Sequence, residues 1–228
     1  MASQDVLRSG DGLSAQTIVF VLANVAIWFG VINSAREITK ELPIYMRERI
    51  ASVGVVPYLL SKIGLLVGLV VLQTGILLAI VGLKAGYPSR GLMFPAPVDM
   101  YVSLVLAGTA ATATGLLISA LVSNEDRAMT FVPFVVIPQF ILAGVSFKLQ
   151  GVGAALSQIT LSRWGTHSLG SIADICMRFP GHRCPPQRIH LAYTHSQRAL
   201  AVDWAVLLAM SVGLLVATGI ALKRRDPL

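Results

Sequence analysis

The feature of this sequence that most constrains its fold is a set of five long windows without a single Asp, Glu, Lys or Arg. They are residues 15–35, 63–83, 100–124, 128–147 and 204–222, and each is 19 to 25 residues long. About 20 apolar residues in a helix are enough to cross a hydrocarbon core of about 30 Å. A helix satisfies its own backbone hydrogen bonds in lipid, whereas an isolated strand leaves its amides unpaired. The sequence therefore predicts an all-α, polytopic transmembrane helix bundle. Its expected spans are about 15–33, 58–83, 100–122, 128–147 and 203–222.

Composition supports a membrane protein over a soluble one. Charged residues make up 13% of the chain and hydrophobic residues 55%, whereas a soluble domain carries roughly 25% charged residues. The formal net charge of +7 comes from the connecting segments and the tail. We therefore expect the chain to be embedded in the lipid bilayer and to bind no nucleic acid.

The distribution of Lys and Arg predicts an orientation. If residues 34–56 face the cytoplasm, the short segments place nine basic residues inside and three outside, as the positive-inside rule requires. We therefore expect a multi-pass protein of the plasma (inner) membrane, with a basic cytoplasmic tail at 223–228 and an external segment at 148–202. An odd number of spans leaves the N-terminal segment 1–14 outside with no preceding span. The chain is thus expected to be a C-terminal piece of a longer protein, or a product that has lost its start.

The connecting region 34–56 combines helix-favouring residues with a partial apolar stripe. The stripe has spacings of three to five residues and consists of Ile38, Leu42, Tyr45 and Ile50. Such a pattern predicts an amphipathic helix at the boundary between membrane and cytosol. Pro43 lacks a backbone donor and is expected to kink or divide that helix. The alternative interpretation is a simple basic anchor with a solvated charged face.

The same region carries three short sequences: N-S-A-R-E-I-x-K-E from Asn33, Y-x-R-E-R from Tyr45, and G-x-V-P-Y-x-L-S-K from Gly54. Together they resemble the first cytoplasmic loop of ABCG-type (White-family) transporters, which are type-2 ABC exporters. L-S-R-W-G at 161–165 lies where that family often has a P-x-R-Y-G-like sequence. The resemblance covers about residues 15–225. It implies an ABC type-2 (ABCG-like) transmembrane domain over that range.

The resemblance implies a function and a set of contact residues. In that family the loop contains a coupling helix that docks on the nucleotide-binding domain, here within residues 34–50. The implied coupling residues are Arg36, Glu37, Glu41, Tyr45, Arg47, Glu48 and Arg49. The chain would be the permease of an ATP-driven exporter and would form the path for a lipid-like or amphipathic substrate. It would act in a homodimer or heterodimer of transmembrane domains. The family has six spans, so the first span and the ATPase domain would be missing.

No ATP-binding loop is present in the sequence. A P-loop needs Ser or Thr after its lysine, but the five lysines here precede Glu, Ile, Ala, Leu and Arg. We therefore expect no cofactor in this chain and no enzymatic activity of its own. ATP and Mg²⁺ are expected on the partner ATPase domain. The alternative function is a non-transporting scaffold, or a truncated remnant without an energy source.

Six uncharged polar residues inside the windows are candidates for lining a translocation path. They are Asn24, Gln73, Thr74, Thr112, Thr114 and Gln139. Hydrogen bonding between helices is the alternative use for such groups. Two small-residue patterns, Gly64-x-x-x-Gly68 and Ala107-x-x-x-Ala111-x-x-x-Gly115, predict close helix packing.

The external segment 148–202 contains both cysteines of the chain and is expected to include short interfacial or re-entrant helices near 151–159 and 164–177. Cys176 and Cys184 could form a disulfide there, because an extracytoplasmic compartment permits it. Free thiols are the alternative. The nearby histidines match no zinc spacing, so no metal site is expected.

Overall fold

The structure, a computed structural model, describes residues 6–9, 11–50, 54–145, 149, 151–179 and 193–225. At residues 8, 9, 43, 44 and 46–50 the description is limited to the backbone. Across these ranges the chain is helical and contains no strand, which confirms the all-α prediction. The helices are α1 Val6–Ser9, α2 Gly12–Ser34, α3 Glu37–Ile50, α4 Val55–Ala85, α5 Ala96–Leu121, α6 Glu125–Leu142, α7 Val152–Ser157, α8 Leu161–Ile172 and α9 Gln197–Arg224. A 3₁₀ turn at Ile175–Arg178 follows α8.

Four helices of the described chain are long and apolar enough to cross a membrane, rather than the five that the sequence predicted. Three coincide with α4, α5 and α9, and the fourth, Gly12–Leu42, joins α2 to the start of α3. The window at 128–147 belongs to α6, which has 18 residues and ends at Leu142. Glu125 and Asp126 lie in its first turn. The Asn124 side chain caps the helix, because its Oδ1 accepts a hydrogen bond from the Arg127 amide at 2.9 Å. Acidic residues favour a helix start, so α6 begins before the predicted span at 128, and it ends at Leu142, short of the predicted end at 147.

The central helix of the bundle is α5, which packs against α2, α4, α8 and α9. Its small residues allow this close approach. A Cβ added to Gly30 of α2 would lie 2.3 Å from the Gly108 carbonyl oxygen, and one added to Gly115 would lie 2.7 Å from the Val31 carbonyl oxygen. The close packing predicted for the Ala107–Gly115 pattern is therefore confirmed.

The second small-residue pattern behaves differently. A Cβ added to Gly64 or Gly68 of α4 would have no atom of the described residues within 4 Å. The predicted close packing at this pair is therefore wrong for the described part of the molecule. The difference arises because this face of α4 is exposed, whereas the α5 pattern faces other helices.

The described part of the external segment packs into the bundle through α8. As predicted, it contains short helices, α7 and α8, and α8 packs on α2, α5, α6 and α9. The contact depends on Gly165, where an added Cβ would lie 3.3 Å from the Ala107 Cβ and 3.5 Å from the Ala23 Cβ. Helix α8 therefore lies among the long helices.

The connecting segments assemble at two ends of the bundle. At one, which we call the basic end, residues 34–50, 54–62, 122–127 and 222–225 meet, and Arg225 donates to the carbonyl oxygens of Val122 and Leu121 at 2.8 and 2.6 Å. At the opposite end, Arg178 donates to the Val6 carbonyl at 3.1 Å and Gln197 donates to the Leu92 carbonyl at 2.8 Å. The side of the membrane that each end faces stays a prediction.

Candidate functional site

The predicted coupling helix is α3, at the basic end. It runs without a break from Glu37 to Ile50 and includes Pro43, so the proline does not divide the helix, and the kink that was the other expectation stays a prediction. A proline removes one backbone hydrogen bond, but tertiary contacts hold the helix on both sides of it. Ile38 before the proline and Tyr45 after it are both buried.

The first turn of α3 is attached to the central helix by Ser119. The Ser119 Oγ accepts hydrogen bonds from the backbone amides of Ile38 and Thr39, each at 3.0 Å. The first amides of a helix have no partner within the helix, so this hydroxyl caps α3 from α5. Sequence reasoning missed Ser119, because a serine 80 residues away in the chain gives no local capping signal.

A lysine of α4 attaches α3 from a second side. The Lys62 Nζ lies 2.5 Å from the Glu41 Oε2 and 3.6 Å from the Glu37 Oε2. The other Glu37 oxygen accepts from Lys40 at 3.2 Å. The side chains of Lys62, Glu37 and Glu41 are 16%, 18% and 29% exposed, so the cluster is only partly open to solvent. Two acidic residues predicted to contact an ATPase domain thus form ion pairs inside this chain.

Tyr45, another predicted coupling residue, belongs to the core. It is 1% exposed, and its ring lies 4.6 Å from the Tyr58 ring of α4. Its burial places the ring inside this chain, and a direct contact of Tyr45 with an ATPase domain stays a prediction. Arg36 is exposed at the start of α3. Arg47, Glu48 and Arg49 lie on the α3 backbone, but their side chains fall outside the described residues.

Two of the six candidate path residues form hydrogen bonds between helices. The Asn24 Oδ1 accepts from Ser162 of α8 at 3.1 Å, while its Nδ2 donates to the Phe20 carbonyl at 2.8 Å. The Gln73 Oε1 accepts from the Asn33 Nδ2 at 2.8 Å and so joins α4 to α2. These contacts correspond to the alternative use that the sequence left open.

The three threonines bond to their own helices. Thr74, Thr112 and Thr114 donate to the carbonyl oxygens four residues earlier, at 2.7, 2.9 and 3.0 Å. This back-bonding satisfies a hydroxyl in an apolar environment without a second helix. It leaves each oxygen able to accept a further hydrogen bond.

Gln139 and Thr114 line the same cavity, whose volume is about 480 Å³, and the other four candidates are not part of its lining. Gln139 is 8% exposed, and within the described chain its Oε1 has no hydrogen-bond partner. Of the six candidates, Thr114 and Gln139 therefore share this cavity. A role for the set in lining a translocation path stays a prediction.

A polar cluster that sequence reasoning did not assemble lies at the opposite end. The His167 Nδ1 lies 2.7 Å from the Asp203 Oδ2, and the His167 ring stacks on Tyr193 at 6.0 Å. Burial lowers the pKa of Arg163 from its usual value, while nearby Asp203 opposes that change. Burial also raises the pKa of Tyr193, whose hydroxyl accepts from Gln16 at 3.4 Å. The cluster holds α8 and the segment before α9 against α2 and α9.

The same end contains the first cysteine. The Cys176 Sγ lies 3.4 Å from the Tyr193 carbonyl oxygen, and Cys176 is not a free thiol. Cys184 lies outside the described residues, so the pairing between the two stays a prediction. Among the residues whose placement is described, no group of three His, Cys, Asp or Glu side chains could hold a metal ion.

Comparison with known proteins gives two matches. The family model described as ABC-2 type transporter matches residues 4–172, which include α1 to α8. An ABC transporter ATP-binding/permease protein of Mycobacterium tuberculosis is 26% identical over 208 residues. The aligned region covers 89% of this chain and 24% of that protein. The chain thus spans about a quarter of the length of this relative.

Proposed function

Because the chain belongs to the ABC-2 type transporter family, we propose that it is the membrane-spanning part of an ATP-driven exporter whose ATPase domain docks on α3. Its role as an ABC-2 permease domain in the membrane follows from the family match. The family also implies an ATPase partner, and the relative from Mycobacterium tuberculosis is described as both ATP-binding and permease. Docking on α3 and the nature of the cargo are the parts that we add.

The observation that carries the proposal is the double attachment of α3. Ser119 of α5 caps its first turn, and Lys62 of α4 pairs with Glu37 and Glu41. A force on the exposed face of α3 would therefore reach α4 and α5 through short polar contacts. Since α5 also packs on α2, α4, α6, α8 and α9, a displacement of α3 would be passed to most of the bundle.

The side chains available for docking agree only in part with those that the sequence favoured. Glu37 and Glu41 pair with Lys62. Arg36 is exposed, and the Lys40 side chain is 52% exposed although it also pairs with Glu37. We propose that these two basic residues contact acidic groups on the ATPase domain, since charge complementarity fixes register and speeds association. Arg47, Glu48 and Arg49 remain further candidates on the same helix.

The remaining parts of the proposal concern cargo and assembly. The apolar spans and a largely apolar cavity support a lipid-like or amphipathic substrate. ATP and Mg²⁺ would be bound by the ATPase domain, and two membrane domains, identical or different, would form the transport path. The protein would lie in the plasma (inner) membrane, with the basic end and the C-terminus in the cytoplasm.

The proposal can be tested by reversing charge on the exposed face of α3. The chain would be reconstituted in liposomes with its ATPase domain, and both ATP hydrolysis and ATP-dependent efflux of a fluorescent lipid would be measured. The double variant Arg36→Glu/Lys40→Glu should lower both activities about tenfold, because it turns attraction at the interface into repulsion. The matched control is Lys84→Glu/Arg90→Glu, which makes the same change at two exposed positions of the opposite end.

Equal activity in the two double variants would reject α3 as the docking helix. A wild-type chain that binds the ATPase domain but gives no ATP-dependent efflux would instead support the non-transporting scaffold.

A further inference from the structure

Arg225 joins the ends of two long helices at the basic end. It is the C-cap residue of α9, and the two terminal nitrogens of its side chain donate to the carbonyl oxygens of Leu121 and Val122, at 2.6 and 2.8 Å. Leu121 is the last residue of α5, and Val122 is its C-cap. The last carbonyl groups of a helix have no partner within that helix, and a cation is favourable beside them. Arg225 therefore caps α5 from α9.

The two helices leave a groove between them at this end. A space of about 410 Å³ lies between the C-terminal ends of α5 and α9, and Arg225 is part of its lining. Most of the other lining side chains are apolar, among them Leu117 and Ile220. Apolar side chains in lipid gain little from mutual contact, so they hold this end of α9 only weakly. The Arg225 side chain is thus a directed link across the groove.

One further polar contact joins α9 to α5 in the described part of the chain, and it lies near the other end of α9. There the Trp204 Nε1 donates to the Ser103 Oγ at 2.9 Å. The hydroxyls of Ser211 and Thr218, which lie between the two contacts, donate to carbonyl oxygens of α9 itself. Without Arg225, the C-terminal half of α9 would have no polar attachment to α5 among the described residues.

The position of α9 affects the cavity that Thr114 and Gln139 share. Met210, Gly213 and Leu214 of α9 line this cavity together with residues of α5, α6 and the turn between α7 and α8. Leu214 lies about three helical turns before Arg225. A displacement of the C-terminal half of α9 would therefore widen or narrow the cavity.

Arg225 and Ser119 act on the same end of α5. Ser119 caps the first turn of α3 and lies two residues before Leu121, whose carbonyl oxygen accepts from Arg225. A displacement of α3 that moves this end of α5 would therefore also move the end of α9, through two short polar contacts in series.

We propose that Arg225 is a positioning residue for transport, which makes the C-terminal end of α9 follow α5 so that a displacement of α3 changes the cavity. The inference rests on the proposed function, since the displacement comes from the docked ATPase domain. It separates two requirements, because docking and ATP hydrolysis need α3, whereas efflux also needs the movement of α9. Loss of Arg225 therefore uncouples ATP hydrolysis from transport without preventing hydrolysis.

The first test measures the amount of fluorescent lipid exported per ATP hydrolysed, with the chain and its ATPase domain reconstituted in liposomes. Arg225→Ala should lower this ratio about tenfold, a usual size for coupling between two sites, and leave ATP hydrolysis close to that of the wild type. Arg225→Lys keeps the charge but loses the planar fork of donors, so its ratio should be intermediate. The matched control, Arg224→Ala, removes the same charge from the neighbouring, exposed residue and should behave as the wild type.

The ratio separates a positioning role from a merely structural one, because a loss of folded protein would lower export and hydrolysis together. A covalent bridge tests the link itself. The double variant Leu121→Cys/Arg225→Cys should be uncoupled like Arg225→Ala, and a short bis-maleimide that joins its two thiols should restore most of the ratio. The two single cysteine variants, treated with the same reagent, are the controls.

A second measurement needs no ATPase domain. A spin label on Lys223→Cys, at an exposed position in the last turn of α9, reports the motion of the helix end in lipid nanodiscs. Adding Arg225→Ala should make the label more mobile, whereas adding Arg224→Ala should leave its spectrum unchanged.

An unchanged ratio of export to hydrolysis in Arg225→Ala, with the wild-type chain coupled, would overturn the inference. Equal label mobility in the Arg225→Ala and Arg224→Ala variants, or a bridged double variant that stays uncoupled, would also overturn it. Absence of ATP-dependent efflux from the wild-type chain would instead reject the proposed function, and with it the transport role of Arg225, even where the label confirms the link between α9 and α5.

Discussion

Of the two long helices α4 and α5, the more apolar one, α4, is the less buried. In the most apolar 18-residue window of each helix, 22% of the α4 residues are buried, against 67% of the α5 residues, although α4 is the more apolar. In water the apolar helix would be the buried one. In lipid, apolar side chains gain little from leaving the solvent, so burial follows from small residues and polar contacts.

The side chains of the two helices show the cause. Along α4, large residues such as Leu65, Leu72 and Leu83 are 60% or more exposed, and Gly64 and Gly68 meet no described atom. Along α5, Gly108 is in close contact with α2, and Ser119 caps α3. A pattern of glycine at four-residue spacing can therefore indicate either a contact between helices or an exposed helix face.

The largest expected effect comes from adding one methyl group at the contact between α2 and α5. Gly30→Ala would place a Cβ 2.3 Å from a backbone carbonyl, which a side-chain rotation cannot relieve. We expect the free energy of unfolding to fall by about 3 kcal/mol, measured by titration from mild micelles into a denaturing detergent. The matched change Gly68→Ala should stabilise by up to about 1 kcal/mol, because alanine favours helix. A similar loss in both variants would break the comparison between the two helices.

Removing the α5 cap of α3 should have the next largest effect. Ser119→Ala leaves two buried backbone amides without an acceptor, so we expect a loss of about 2 kcal/mol. Hydrogen exchange should accelerate at the amides of Ile38 and Thr39. Ser123→Ala, at an exposed position, serves as the control. Unchanged exchange at those two amides would remove Ser119 from the proposed force path.

Removing the α4 contact with α3 should cost less. Lys62→Met keeps most of the side-chain volume and leaves Glu37 and Glu41 without their shared cation. We expect a loss of about 1 kcal/mol that shrinks as salt is added, because these charges are partly exposed. Lys84→Met, at the exposed far end of α4, should be close to neutral. A loss larger than that of Ser119→Ala would make α4 the main support of α3.

The smallest expected effect concerns the hydrogen bond between α2 and α4. Gln73→Leu removes the acceptor of the Asn33 amide, and such bonds in membrane proteins contribute about 0.6 kcal/mol on average. Thr74→Val is the matched control, because its hydroxyl bonds only to its own helix. A cost above that of Lys62→Met would show that α4 depends on polar contacts as strongly as α5.

Much of the fold could be predicted from the sequence, but fewer of the contacts made by the site residues could. The windows at 63–83 and 100–124 predicted spans that correspond to α4 and α5, because hydropathy is a sum over neighbouring residues. The charged face of α3 predicted a helix at the basic end. The internal pairing of Glu37 and Glu41, the burial of Tyr45 and the length of α6 could not be predicted in the same way.

By itself, the sequence determined the membrane-spanning helical architecture, the position of α3 and the separation of basic segments from apolar spans. These depend on local composition and on the length needed to cross a bilayer. Only the tertiary structure decided that Lys62 neutralises the acids of α3, that Ser119 caps α3, and that Thr114 and Gln139 line one cavity. Each of these depends on which residues from distant parts of the chain come within a few ångströms, and hydropathy carries no such information among helices that are all apolar.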